Sequence, residues 1–115
     1  TVAHDSHNII CVGTSDFEIC DAVNALMDCG GGVVACHNGE QTVLPLPVAG
    51  LMSNDTAEKV AAAYSLVDLE AKKLGSTLQA PFMTLSFMAL LVIPELKLSD
   101  QGLFDGKRFA FTELY

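Results

Sequence analysis

Basic charge is what this sequence has least of. Six Lys and Arg stand against fourteen Asp and Glu, for a net charge of −8. A surface that acidic repels phosphate, so no nucleic-acid partner is expected. Only 17% of the residues are charged and half are hydrophobic, the opposite of the balance that keeps a chain disordered. A long apolar run is missing too. The longest, Phe82 to Ile93, includes Thr84 and Ser86 and is closed by Pro81 and Pro94. It falls far short of the roughly 20 residues a membrane span needs, so no membrane partner is expected. The N-terminus has neither the basic patch nor the apolar stretch of a leader, and Thr1 follows no initiator Met. The chain is therefore expected to be a piece of something longer. Cys11, Cys20, Cys29 and Cys36 form no CxxC pair, which excludes a zinc ribbon or a thioredoxin motif. Buried, reduced thiols and a cytoplasmic location are expected.

The 115 residues suit one domain, 1–115, long enough to bury about two-thirds of its unfolded surface. Ile9 to Val12 is apolar and β-rich, and predicts a buried first strand that begins near Val2. Ser15-Asp16-Phe17-Glu18 reads as a capping box, and Ile19, Val23 and Met27 continue it as an amphipathic helix that ends at Gly30. Val33 to His37 is a strand. Asn38-Gly39 then signals a two-residue hairpin, and Glu40 to Leu46 returns, disturbed by Pro45 and Pro47. Val60, Tyr64, Val67, Ala71 and Leu74 mark one face of a second helix, opened near Asp55-Thr56 and closed by Gly75. Phe82 to Ile93 is a buried helix or a buried strand, since periodicity cannot separate the two. Leu98 to Gly106 reads as a loop, and Arg108 to Leu114 as a last strand with Phe109 and Phe111 on one face. The fold class is α+β, a mostly antiparallel sheet with two main helices packed on one face.

His4-Asp5-Ser6-His7-Asn8 is the concentration of polar groups that stands out. In an extended segment His4 and Ser6 face one way and Asp5 and His7 the other, so the two histidines do not chelate one metal. The spacing also excludes an HExxH zinc site, and a catalytic triad does not form from neighbouring positions. A polar turn and a functional segment both remain open. At Cys36-His37 the simpler account is a core thiol beside a solvated turn residue. Gly30-Gly31-Gly32 follows a helix rather than opening one, so a helix cap running into a strand fits better than a phosphate loop. Leu44 to Ser53 is an apolar loop, which either packs under the domain's own helix or meets a neighbour. Met83, Phe87 and Met88 read as core.

Three of these stretches resemble one family together. They are Val2 to Ile10, Leu44 to Ser53, and Pro81 to Leu90 continued through Val92 to Leu98, with Gly102-Leu103-Phe104-Asp105 after them. In order and spacing they are similar to the C-terminal domain of bacterial-type adenine deaminase, in the amidohydrolase superfamily. Leu91 stands where that family's run has proline, and Cys11 replaces a plainer apolar residue. The resemblance implies a parent of adenine salvage and catabolism that converts adenine and water to hypoxanthine and ammonia. In it, manganese or iron held in a TIM-type barrel activates the water that attacks C6. That barrel is absent here, and no metal ligand or catalytic residue is expected within the fragment. What remains is implied to cover the barrel mouth. His4, Asp5, Ser6 and His7 are the substrate-pocket candidates. Leu46, Pro47, Leu51 and Met52 are the interface candidates. The implied partners are the rest of the adenine deaminase chain, adenine, and a second subunit of a homo-oligomer. The alternative is an independent small interaction module without catalysis.

Overall fold

A computed structural model describes residues 1–3 and 6–114. The elements run α1 (Asp16–Asp28), β1 (Gly32–His37), β2 (Glu40–Pro45), α2 (Ala57–Lys73), α3 (Pro81–Phe87), β3 (Leu96–Ser99), β4 (Gly102–Asp105) and β5 (Ala110–Thr112). The α+β class holds and every strand pairing is antiparallel, but the strands form two sheets rather than one. β1 pairs β2, while β3, β4 and β5 form a separate ladder in that order.

Each helix end has a chemical cause. The Ser15 hydroxyl accepts from the Glu18 main-chain N–H at 3.3 Å, as a capping box requires. The Glu18 carboxylate takes the Ser15 and Thr14 hydroxyls at 3.3 and 3.4 Å. At the other end, Gly30 N–H donates to Met27 O and Gly31 N–H to Leu26 O, the paired bonds of a Schellman cap. The same two bonds close α2, from Gly75 to Lys72 and from Ser76 to Ala71. Pro81 stands at the start of α3, where its missing N–H costs nothing.

Asn38 and Gly39 both have positive φ, 51° and 79°, which is the I′ turn their sequence demands. The register that follows pairs His37 with Glu40, Ala35 with Thr42 and Val33 with Leu44. The inward side chains of the hairpin meet α2: Val33, Ala35, Leu44, Leu46 and the fully buried Val67 form the core, flanked by Val60, Tyr64 and Phe82. Tyr64 and Phe82 meet edge to face at 6.4 Å. The α1 helix also lies against the hairpin, though its buried Ala22 and Leu26 stand outside that cluster.

Three sequence expectations change. Residues 9–12 form no strand, and Val12 is exposed, because no neighbouring strand pairs with them. An apolar, β-branched run supplies propensity but not a partner. Leu98 to Gly106 is not a loop: β3 and β4 form a hairpin there, closed at Ser99 and Gly102. Phe82 to Ile93 resolves as the short helix α3 and a run of turns. The last strand is shorter than expected, yet Phe109 and Phe111 do converge, each edge to face on Phe104 at 5.4 Å.

The base of the β1–β2 hairpin sets a sharp steric test. A Cβ on Gly32 falls 2.2 Å from Leu44 O, whereas one on Gly39 meets nothing. Both have positive φ, so both substitutions strain the backbone. Gly39→Ala is expected to cost about 1 kcal/mol. Gly32→Ala, which must also open the hairpin, is expected to cost about 3 kcal/mol or more. Urea unfolding of the two variants checks the difference, and equal midpoints contradict it.

Candidate functional site

The apolar loop between β2 and α2 is tied down by its own backbone. Val48 and Met52 exchange hydrogen bonds at 3.0 and 3.1 Å, and Ala49 and Gly50 turn the chain between them at positive φ. The Gly50 carbonyl accepts from the Thr1 hydroxyl. Such internal pairing lets an apolar loop exist without orphaned polar groups. Its interface candidates divide. Leu46 is buried in the core, with its N–H on Gly31 O at 2.9 Å. Leu51 is half-buried, and Pro47 and Met52 are exposed. Leu51 and Met52 border a shallow hollow against Val60 and Tyr64 of α2.

Of the polar N-terminal candidates, His4 and Asp5 lie outside the described residues. Ser6 and His7 are exposed, and His7 sits at φ 50° with its N–H on Ala3 O at 3.1 Å. Asn8 is half-buried, and its Oδ1 is buried with no hydrogen-bond partner among the described residues. An unmet carbonyl of that kind costs about 1–3 kcal/mol.

A second cluster joins residues that the sequence keeps far apart. Glu18 Oε1 lies 2.9 Å from His37 Nδ1 and accepts from the Asn38 N–H at 3.4 Å. The Asn38 amide lies 3.0 Å from His37 Nε2. The imidazole bond and then the main-chain bond hold the Glu18 carboxyl below the ordinary carboxylate range. The N-terminal cap of α1 is thereby latched to the hairpin turn. Read by position, Glu18 is only a helix cap and His37 only a turn residue. No spacing rule links two residues nineteen apart. His37 is exposed, as expected. Cys36 is half-buried, and burial, followed by the Asp21 and Glu18 charges, pushes its thiol up. A thiol so placed is a poor nucleophile.

Among the described residues no three His, Cys, Asp or Glu side chains gather into a set able to hold a metal ion. A manganese or iron ion therefore does not fit them, and no chemical step on these residues runs through one. Beside β1 lies a groove of about 670 Å³, bordered by residues 9–14, α1 and α3. Its lining is predominantly apolar, from Ile10, Ile19, Val23, Val34, Leu85 and Met88 among others.

The Glu18 latch has a pH signature. A carboxyl whose folded pKa is lowered adds stability above its unfolded value and loses it as pH falls through the folded one. Glu18→Gln is expected to lower Tm at pH 7 and to flatten the fall of Tm below about pH 4.5. Thermal scans between neutral and acid pH check this. A variant whose Tm differs from the parent equally at all pH values contradicts it.

Comparison with known proteins places the chain. The family model of the adenine deaminase C-terminal domain matches residues 1–110. An adenine deaminase of Methanosarcina acetivorans is 55% identical over the whole chain, which covers 21% of that protein. One from a Sulfurovum species is 56% identical over 98% of the chain, again 21% of the relative. One from Archaeoglobus fulgidus is 47% identical over 99% of the chain and 20% of the relative. The chain thus spans about a fifth of the length of the curated relatives it matches. No solved structure matches it significantly. On the strength of the model match and these identities, the chain belongs to the adenine deaminase C-terminal domain family.

Proposed function

We propose that this chain is the C-terminal accessory part of an adenine deaminase, which converts adenine and water to hypoxanthine and ammonia in purine salvage. The observation that carries this is the match of the whole chain to one fifth of proteins so named. The catalytic barrel and its manganese or iron lie elsewhere in such an enzyme. The residues here cover the mouth of the active site and exclude water from it. Their work is done in the cytoplasm, as one part of a larger assembly.

Two local features support the covering role. The buried Asn8 Oδ1 lacks a donor among the described residues, so a neighbouring domain or a bound purine amine suits it. The adjoining Ser6 and His7 are exposed and free to face the same neighbour, and His4 and Asp5 are their neighbours in the sequence. A histidine there can bind the ring or carry a proton near neutral pH. Pro47 and Met52, on a loop held rigid by its own bonds, present the apolar contact surface to the barrel or to a second subunit.

The purified chain is expected to release no ammonia from adenine, with or without added manganese or iron. Robust turnover by the chain alone removes the accessory reading. In a full-length enzyme, Met52→Asp is expected to weaken association of this domain with the rest by about tenfold or more, because it buries a charge without a partner. Domain association can be followed by limited proteolysis. Met52 is already exposed in the chain, so folding of the domain itself is unaffected. Unchanged proteolytic resistance contradicts the contact.

A further inference from the structure

We infer that the open edge of β1, together with the apolar groove beside it, is the seat of an extended segment from the rest of the adenine deaminase polypeptide. The inference rests on the reading that this chain works as one domain of that longer enzyme. It adds where the remainder docks and by what bonds.

The register identifies the edge. A two-residue turn closes on a hydrogen-bonded pair, here His37 and Glu40. Bonded pairs then recur at Ala35 with Thr42 and at Val33 with Leu44. The main-chain groups of Gly32, Val34 and Cys36 therefore point away from β2. Thr1 shows that this geometry is real. Its nitrogen donates to Gly32 O at 2.9 Å, and its hydroxyl accepts from Gly32 N–H at 2.9 Å. Past Gly32 the edge continues without such cover. Among the described residues, Val34 and Cys36 have no main-chain partner on that side. Both residues are half-buried at the groove wall, where an unpaired amide is costly.

Surface area points the same way. A folded monomer of 12.2 kDa exposes about 6,100 Å². This chain exposes 7658 Å². The excess, roughly 1,500 Å², is about twice what one partner gives to a standard interface. The radius of gyration, 14.8 Å, likewise exceeds the value of about 13.4 Å for this length. Large apolar side chains stand out at the groove's rim, among them Val12 at 78% exposed and Met88 at 42%.

The occupant follows from charge and length. A second copy brings another net charge of −8 to a chain of the same charge, with Glu18 at the groove and Asp16 and Asp21 on the same helix. The curated relatives carry this domain within one polypeptide about five times as long. A segment tethered in that way faces the groove at high effective concentration. It needs apolar side chains for the groove and main-chain groups spaced two residues apart for Val34 and Cys36.

Hydrogen exchange at single amides tests this. The isotope-labelled 115-residue chain is measured alone. It is then measured with the portion of the Methanosarcina acetivorans enzyme that precedes its matching domain, with association followed by sedimentation. The Val34 and Cys36 amides are expected to exchange about 100-fold more slowly in the mixture. Val33 and Ala35, already bonded to β2, report in both samples that the hairpin is folded. Val34→Asp, with that hairpin signal intact, is expected to reduce association at least about tenfold. Association without protection of Val34 and Cys36 overturns the inference and leaves the accessory reading standing. No association overturns both. Concentration-dependent protection in the chain alone, with a dimer mass, makes a second copy the occupant and overturns it too.

Discussion

The structure depends on a close approach that only glycine permits. At the base of the hairpin, Gly32 lies so near the Leu44 carbonyl that no side chain fits between them. The same point receives the end of α1 through its Schellman cap, the Thr1 bonds on Gly32, and the Leu46 N–H on Gly31 O. The end of α1, the N-terminal Thr1 and the Leu44–Leu46 stretch thus converge on three consecutive glycines. The approach brings Leu44 and Leu46 under α2, where Val67 completes the core. Widening it would separate the two strands at the end opposite their turn and lift the loop that Gly50 anchors to Thr1.

The Glu18 latch secures the far end of the same hairpin. The Ser15 hydroxyl that caps α1 donates to that carboxylate, and the turn at Asn38 is held by it. One side chain thereby fixes the distance between α1 and β1, which defines the width of the groove between them. His37 beside Cys36 suggests chemistry, but its imidazole is committed to this structural bond and the thiol is held protonated. In the described part of the chain the polar groups position elements.

Much of this was legible in the sequence because its signals are local. Asn38-Gly39 specifies a turn by the φ angles it requires, and Ser15 with Glu18 specifies a helix start by one hydrogen bond. The stripe from Val60 to Leu74 specifies a helix face by spacing alone, although Leu74 proves exposed. The resemblance to the adenine deaminase C-terminal domain rested on the order and spacing of three stretches, with Gly102 to Asp105 after them, and the family match supports it. What stayed hidden depends on partners. Ile9 to Val12 has strand composition without a strand to pair with, and Leu98 to Gly106 became a hairpin because β3 pairs with β4, whose other edge meets β5 where Phe104 packs on Phe111. The link from Glu18 to His37 and the burial of Leu46 are tertiary facts that no window of residues contains. Leu46 looked like part of a contact loop, yet the hairpin turns it inward before the loop begins.

The central claim is that this chain is one working part of a larger deaminase rather than a self-sufficient protein. Complementation tests it most directly. The Methanosarcina acetivorans adenine deaminase is made without the fifth of its length that matches this chain, and adenine deamination is followed as the separate chain is added. The account predicts that the shortened enzyme turns over poorly and that activity rises saturably with added chain. A shortened enzyme as active as the complete one, indifferent to the chain, would contradict it.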